Sequence, residues 1–100
     1  MTKHPKKLLV IVAEAAIEKA LAQQVMELGA HGYTVHDVRG AGAAGAREGT
    51  WEADRTIEMK VICAADVADR IGEAVLATFG DHYGLSMFFV DVSVLRDNKY

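Results

Sequence analysis

The chain has 100 residues, 51% of them hydrophobic and 25% charged, and a formal net charge of −3. That length supports one domain with a two-layer core but not both halves of a doubly wound dinucleotide fold, and the charge balance excludes a disordered chain and the basic excess of a nucleic-acid binder. No apolar run approaches the roughly 18 residues of a membrane span, residues 1–7 lack the apolar stretch of a signal peptide, and Cys63, the only cysteine, can form no intrachain disulfide. A single cytoplasmic domain over residues 1–100 is the expectation.

Lys3, Lys6 and Lys7 read as a solvated basic end rather than a recognition arm. Residues 8–13, LLVIVA, form an unbroken apolar run rich in branched side chains, which suits a first strand buried on both faces. Ile17, Leu21, Gln24/Val25 and Leu28 then recur at helical spacing, and Gly29 stands where a helix C-cap belongs. Residues 32–40, GYTVHDVRG, bounded by glycines, predict a second strand. In residues 54–64, DRTIEMKVICA, Ile57, Met59, Val61 and Cys63 alternate with Thr56, Glu58 and Lys60, the pattern of a third strand with one polar face. Asp66 is the predicted cap of a second helix with the stripe Val67, Ile71, Ala74/Val75 and Phe79, ending at Gly80. Residues 85–95, LSMFFVDVSVL, are the fourth strand.

The order strand, helix, strand, strand, helix, strand predicts an α+β ferredoxin-like fold, with a four-stranded antiparallel sheet, two helices on one face and a long loop, about residues 40–53, between strands two and three. Two helices cover only one face of such a sheet. Because the first and last strands are apolar on both faces, the open face requires a partner, and a homo-oligomer is inferred.

The loop holds GAGAAG, residues 40–45, with the spacing of a dinucleotide fingerprint. It follows the second strand instead of the first and no apolar helical stripe comes after it, so it opens no Rossmann helix, and no Gly-Lys-Ser/Thr makes it a Walker loop. Glycines at 40, 42 and 45 could turn the backbone left-handed and converge N–H groups on an anion as a nest flanked by Arg39 and Arg47. A flexible solvated loop with incidental arginines accounts for the spacing equally well.

GYTVHDVRGAG, the REGTWEADRTIE that follows, FGDHYGL after the second helix and the terminal DVSVLR resemble, in the same order, the PII signal-transduction superfamily, most closely its PII-like branch of carboxysome-associated and bicarbonate-transporter-associated proteins. The resemblance implies a homotrimer with the open sheet faces inward and adenine nucleotide in the clefts between neighbours. It implies Thr34 on the nucleobase side, Arg39, Gly40 and Gly42 at the loop base around the phosphates, Arg47 at a loop position suited to phosphate or bicarbonate, Tyr83 and Gly84 facing the neighbour's nucleotide, and Arg96 at the family's basic position near the end. Close relatives often carry a second loop arginine where this chain has Ala44, the loop has no tyrosine or serine to modify, and GDHYG replaces the basic glycine loop that grips ATP in other members. ADP, AMP or cyclic AMP is therefore expected over tightly held ATP, with bicarbonate as a further ligand. The implied role is a sensor that signals through its loop to a partner protein, a transporter or metabolic enzyme, in inorganic-carbon or nitrogen metabolism.

The alternatives are a small phosphate-ester or nucleotide hydrolase on the same fold and a metal-binding trimer. An acylphosphatase needs an arginine-bearing phosphate cradle after the first strand, where this chain reads VAEAAIEK, and His4, His31, His36 and His82 share no metal-ligand spacing. No metal and no membrane insertion are expected. Cys63 reads as a small buried hydrophobe, Trp51 as a packing residue or a ring beside the loop base, and Glu48, Glu52 and Asp54 as a solvated acidic group.

Overall fold

The computed structural model describes residues 1–42, 45–47, 55–82 and 84–100, with the backbone course alone for 41, 42 and 45–47. Strand β1 (His4–Glu14) leads through a 3-10 turn (Ala15–Ile17) into helix α1 (Glu18–Glu27). Strand β2 (Thr34–Val38) precedes two short strands inside the loop region, β3 (Gly40–Gly42) and β4 (Gly45–Arg47). Strand β5 (Thr56–Cys63), helix α2 (Ala65–Phe79), strand β6 (Ser86–Val94) and a 3-10 turn (Asp97–Lys99) complete the chain. The main sheet has the order β2-β5-β1-β6 with every neighbour antiparallel, as the ferredoxin-like reading requires.

Alternation decides which residues meet the helices. Leu9, Ile11 and Ala13 of β1 and Met59, Val61 and Cys63 of β5 point to one face, where Leu21 and Val25 of α1 and Ala68, Ile71 and Val75 of α2 bury them completely or nearly so. Burial, with the Asp66 carboxylate second, pushes the Cys63 thiol above its ordinary pKa and keeps it an inert hydrophobe. Leu85 and Met87 pack against the same core. The opposite face carries Leu8, Val10 and Val12 beside Val90, Phe88 and Ser86 in register; Val10 is buried at its centre, and α1 and α2 both pack on the other side of the sheet. Phe88 stays 49% and Val90 40% exposed there, which is the open apolar face the strand patterns anticipate.

Helix α1 ends as its glycine predicts. Gly29 has φ 115°, its N–H bonds the Met26 carbonyl and the Ala30 N–H reaches back to the Val25 carbonyl, the paired bonds of a Schellman stop with two buried residues in contact across it. The start of α2 differs from expectation: Ala64 is the N-cap and no side chain caps the helix. Asp66 lies in the first turn, where its charge still suits the positive helix end, and pairs with Arg70 one turn on at 3.4 Å. Arg70 also donates to the Leu28 carbonyl at 3.2 Å and ties the helices together.

Candidate functional site

The loop base is built by strand register. Val38, Thr56 and Glu14 fall in one row across β2, β5 and β1, so the residues that follow Val38 leave from the same end of the sheet as Glu14. Gly84 arrives at that end too, since a Cβ on it would lie 3.5 Å from Glu14 Cγ. Arg55 anchors the far side of the loop: its backbone carbonyl accepts from the Ala15 N–H at 2.9 Å and its guanidinium donates to Asp37 Oδ1 at 2.8 Å. Arg39 and Gly40 are exposed beside this anchor. The structure thus gathers Arg39, Gly40 and Gly84 at one end of the sheet.

The glycine nest is not what forms. Gly40, Ala41 and Gly42 are extended and pair antiparallel with Arg47, Ala46 and Gly45, so the run is a narrow two-stranded ribbon. The ladder hydrogen bonds of such a pair take up N–H groups that a nest would aim at an anion. The Arg47 side chain, Tyr83, Ala44, Trp51, Glu48, Glu52 and Asp54 lie outside the described residues.

Thr34 sits at the other end of β2 from Arg39. Five residues at about 3.3 Å each set the two roughly 16 Å apart along one exposed sheet edge. Beside Thr34 lies a cavity of about 510 Å³, lined by Leu8, His31, Gly32, Tyr33, Thr34, Lys60, Ile62, Lys99 and Tyr100. Its aliphatic part comes from Leu8 and Ile62, cross-strand partners on the open face, and its rim carries two phenol rings and two ammonium groups. Lys60 and His36 both approach Glu58, at 3.4 and 3.7 Å. Of the cavity lining only Thr34 follows from the sequence reading. Tyr33 stands in the quoted GYTV stretch and could have been found there, whereas Lys99 and Tyr100 reach the cavity through contacts with residues some 70 to 90 positions away that no local pattern reveals.

Arg96 lies beyond the His4–Val94 pair, at the end of the sheet opposite the loop base, so one chain cannot bring it beside Arg39 or Gly84. Among the described residues no group of three or more His, Cys, Asp or Glu side chains could hold a metal ion, and no helix is long and apolar enough to cross a membrane.

The sheet order, with two helices on one face and a loop region after β2, defines a ferredoxin-type α+β domain whose β2 edge carries a cavity at one end and an arginine at the other. Residues 6–99 match the family described as Nitrogen regulatory protein P-II, and the chain belongs to that family. Among solved structures, a protein of Thermus thermophilus named as PII-like signalling is 37% identical, with a TM-score of 0.86 over 100% of this chain and 99% of that one. CPII of Thiomonas intermedia, a nitrogen regulatory PII-like protein bound to ADP, AMP and bicarbonate, is 25% identical, with a TM-score of 0.88 over 98% of this chain and 95% of that one. The same protein bound to ADP and bicarbonate aligns with a TM-score of 0.87 at 25% identity, covering 98% of this chain and 96% of that one. No curated protein matches the chain.

Proposed function

We propose that this PII-like protein is a cytoplasmic homotrimeric sensor of adenine nucleotide, ADP, AMP or cyclic AMP in preference to tightly held ATP, with bicarbonate as a second ligand. The nucleotide lies along the β2 edge in the cleft between two copies. Its base faces Thr34, its phosphates meet Arg39, Gly40, Gly42 and Arg47, and Tyr83 and Gly84 complete the loop-base end. Arg96 is contributed from the neighbouring copy, because in its own chain it stands at the wrong end of the sheet. Ligand binding selects one loop arrangement, and a partner protein in inorganic-carbon or nitrogen metabolism, a transporter or an enzyme, docks on that arrangement alone. No catalysis is needed for this role.

One observation carries the reading: a single exposed strand edge has an apolar, aromatic-rimmed cavity at one end and an exposed guanidinium about 16 Å away at the other, the polarity and reach of an extended nucleoside diphosphate. The ligands of the Thiomonas protein, similar over nearly the whole chain, support the same chemistry. The uncovered Phe88 and Val90 support the trimer. Titration calorimetry with ATP, ADP, AMP and cyclic AMP, each with and without bicarbonate, tests it. Binding of ADP, AMP or cyclic AMP more tightly than ATP is expected, and absence of binding to all four overturns the proposal.

A further inference from the structure

After Val94 the chain does not run on along the β6 edge. It turns over the open face of the sheet. Asp97 ion-pairs with Lys6 at 3.1 Å, a lysine whose side chain is only 12% exposed, and the Lys99 carbonyl lies 3.3 Å from His31 Nδ1 on the loop before β2. Within the turn the Lys99 N–H bonds the Arg96 carbonyl and the Tyr100 N–H the Asp97 carbonyl. Residues 97–100 therefore form a strap fastened at β1 and, across the sheet, beside the start of β2. The strap delivers Tyr100 and Lys99 to the cavity that Thr34, Tyr33, Leu8 and Ile62 also line.

We infer that this strap is the specificity wall of the base end of the site, with Tyr100 as the ring against which a nucleobase stacks. This rests on the nucleotide reading above and adds to it a recognition group from a segment that the loop-base residues do not include. The chemistry follows from the cavity. Leu8 and Ile62 offer an apolar floor that a flat heteroaromatic ring can cover, while Tyr100, only partly buried, presents a π-face that every base can use. A bare anion such as bicarbonate has no group to place against that floor, so the strap favours the nucleoside part of the ligand over its charge. Lys6 acts through the strap as a positioning residue, touching the turn that holds the ring, while His31 both fastens the turn and lines the cavity itself.

Calorimetry of ADP binding to parent, Tyr100→Ala and Tyr100→Phe, together with the change in nucleobase absorbance near 260 nm on binding, tests the inference. Loss of a base–aromatic stack lowers affinity by roughly five- to a hundredfold, so Tyr100→Ala is expected to fall in that range and to lose the hypochromism, while Tyr100→Phe keeps both. Asp97→Asn leaves every ring in place and loosens the fastening, and a smaller loss of ADP affinity is expected. ADP binding to Tyr100→Ala within twofold of the parent, an equal loss in Tyr100→Phe, or binding by the parent without hypochromism overturns the inference while leaving the nucleotide reading intact. A parent that binds no adenine nucleotide overturns both.

Discussion

Val90→Asp on the uncovered sheet face is expected to convert the assembly to folded monomers. Val90 is 40% exposed and its neighbour Phe88 49% exposed in the single chain, with Val10 and Leu8 beside them on β1. Fully burying a Val or Phe side chain contributes about 1.5–3 kcal/mol, so covering the half that each still exposes contributes about 1 kcal/mol per residue, or about 6 kcal/mol for two residues in three copies. An aspartate there removes part of that term and adds a desolvation cost of several kcal/mol per buried, unpaired charge. Summed over three copies, the change exceeds roughly 10 kcal/mol, and since every 1.4 kcal/mol is tenfold in association, a trimer stable at nanomolar concentration dissociates at micromolar. Because Val90 already meets water in the isolated chain, the subunit itself keeps its fold. Sedimentation velocity or light scattering at micromolar protein reads the mass, with circular dichroism as the check on folding. Leu76→Asp is the control: Leu76 is 61% exposed but stands on α2, on the other side of the sheet, and its mass is expected to stay that of the parent. A folded Val90→Asp that keeps the parent mass, or a Leu76→Asp that dissociates as readily, refutes the reasoning.

Arg39→Ala removes a charge-assisted donor from the phosphate end and is expected to weaken ADP binding about ten- to a hundredfold by calorimetry without changing the oligomeric mass. The strap has an acid limit: the Lys6 ammonium, by hydrogen bond first and charge second, with a smaller effect from His4, holds the Asp97 carboxyl below the usual carboxylate range. A depressed folded-state pKa stabilises the strap above the unfolded value of about 3.9 and ceases to do so as pH falls through the lower folded value, so proteolytic nicking near residue 97 rises only below about pH 4 and Asp97→Asn abolishes the step. Gly29→Ala forces a Cβ into φ 115° and is expected to cost about 1–2 kcal/mol in denaturant unfolding. Gly72→Ala is expected to be neutral or to stabilise by up to about 1 kcal/mol, since the new Cβ would meet only the tip of the half-exposed Phe89 ring at 3.0 Å, which can give way, while the helix gains alanine's propensity.

The parts of the fold that were legible in the sequence are those where burial imposes a period. Ile57, Met59, Val61 and Cys63 alternate because one face of β5 meets the helices, and Ile71 and Val75 recur because one stripe of α2 meets the sheet. Gly29 was legible for a different reason, since a left-handed backbone admits few other residues. The ribbon of β3 and β4 was not, because glycine and alanine carry no side-chain pattern, and the same letters suit a nest, a coil or a ladder. Asp66 misled because a helix start offers an acidic residue two favourable roles, cap or first-turn charge, and the reach to Arg70 chose the second. At the candidate site, the motif that spans Thr34 and Arg39 pointed to the two ends of β2, where Thr34 lines the cavity and Arg39 is exposed. The strap was not: its fastening to Lys6 and His31 joins residues 91 and 68 positions apart, and nothing in the letters DNKY announces a binding wall.

The open face and the candidate site impose one requirement from two directions. Among the described residues no strand pairs with the outer edge of β2, so a ligand lying along it between Thr34 and Arg39 is walled by the described part of its own subunit on one side alone. Arg96 sits at the far end of the sheet, where it can serve no phosphate held by its own loop base. In the assembly proposed above, a second copy related by rotation about the apolar face would supply the missing wall and carry its own Arg96 to the seam. In the proposed trimer the hydrophobic area that drives assembly and the cation that completes the site therefore come from the same contact, so ligand affinity and assembly are linked: any substitution that separates the copies must weaken nucleotide binding even where it touches no site residue. Val90→Asp provides that comparison, for its monomers retain Thr34, Arg39 and Tyr100 and are expected to bind ADP far more weakly than the parent.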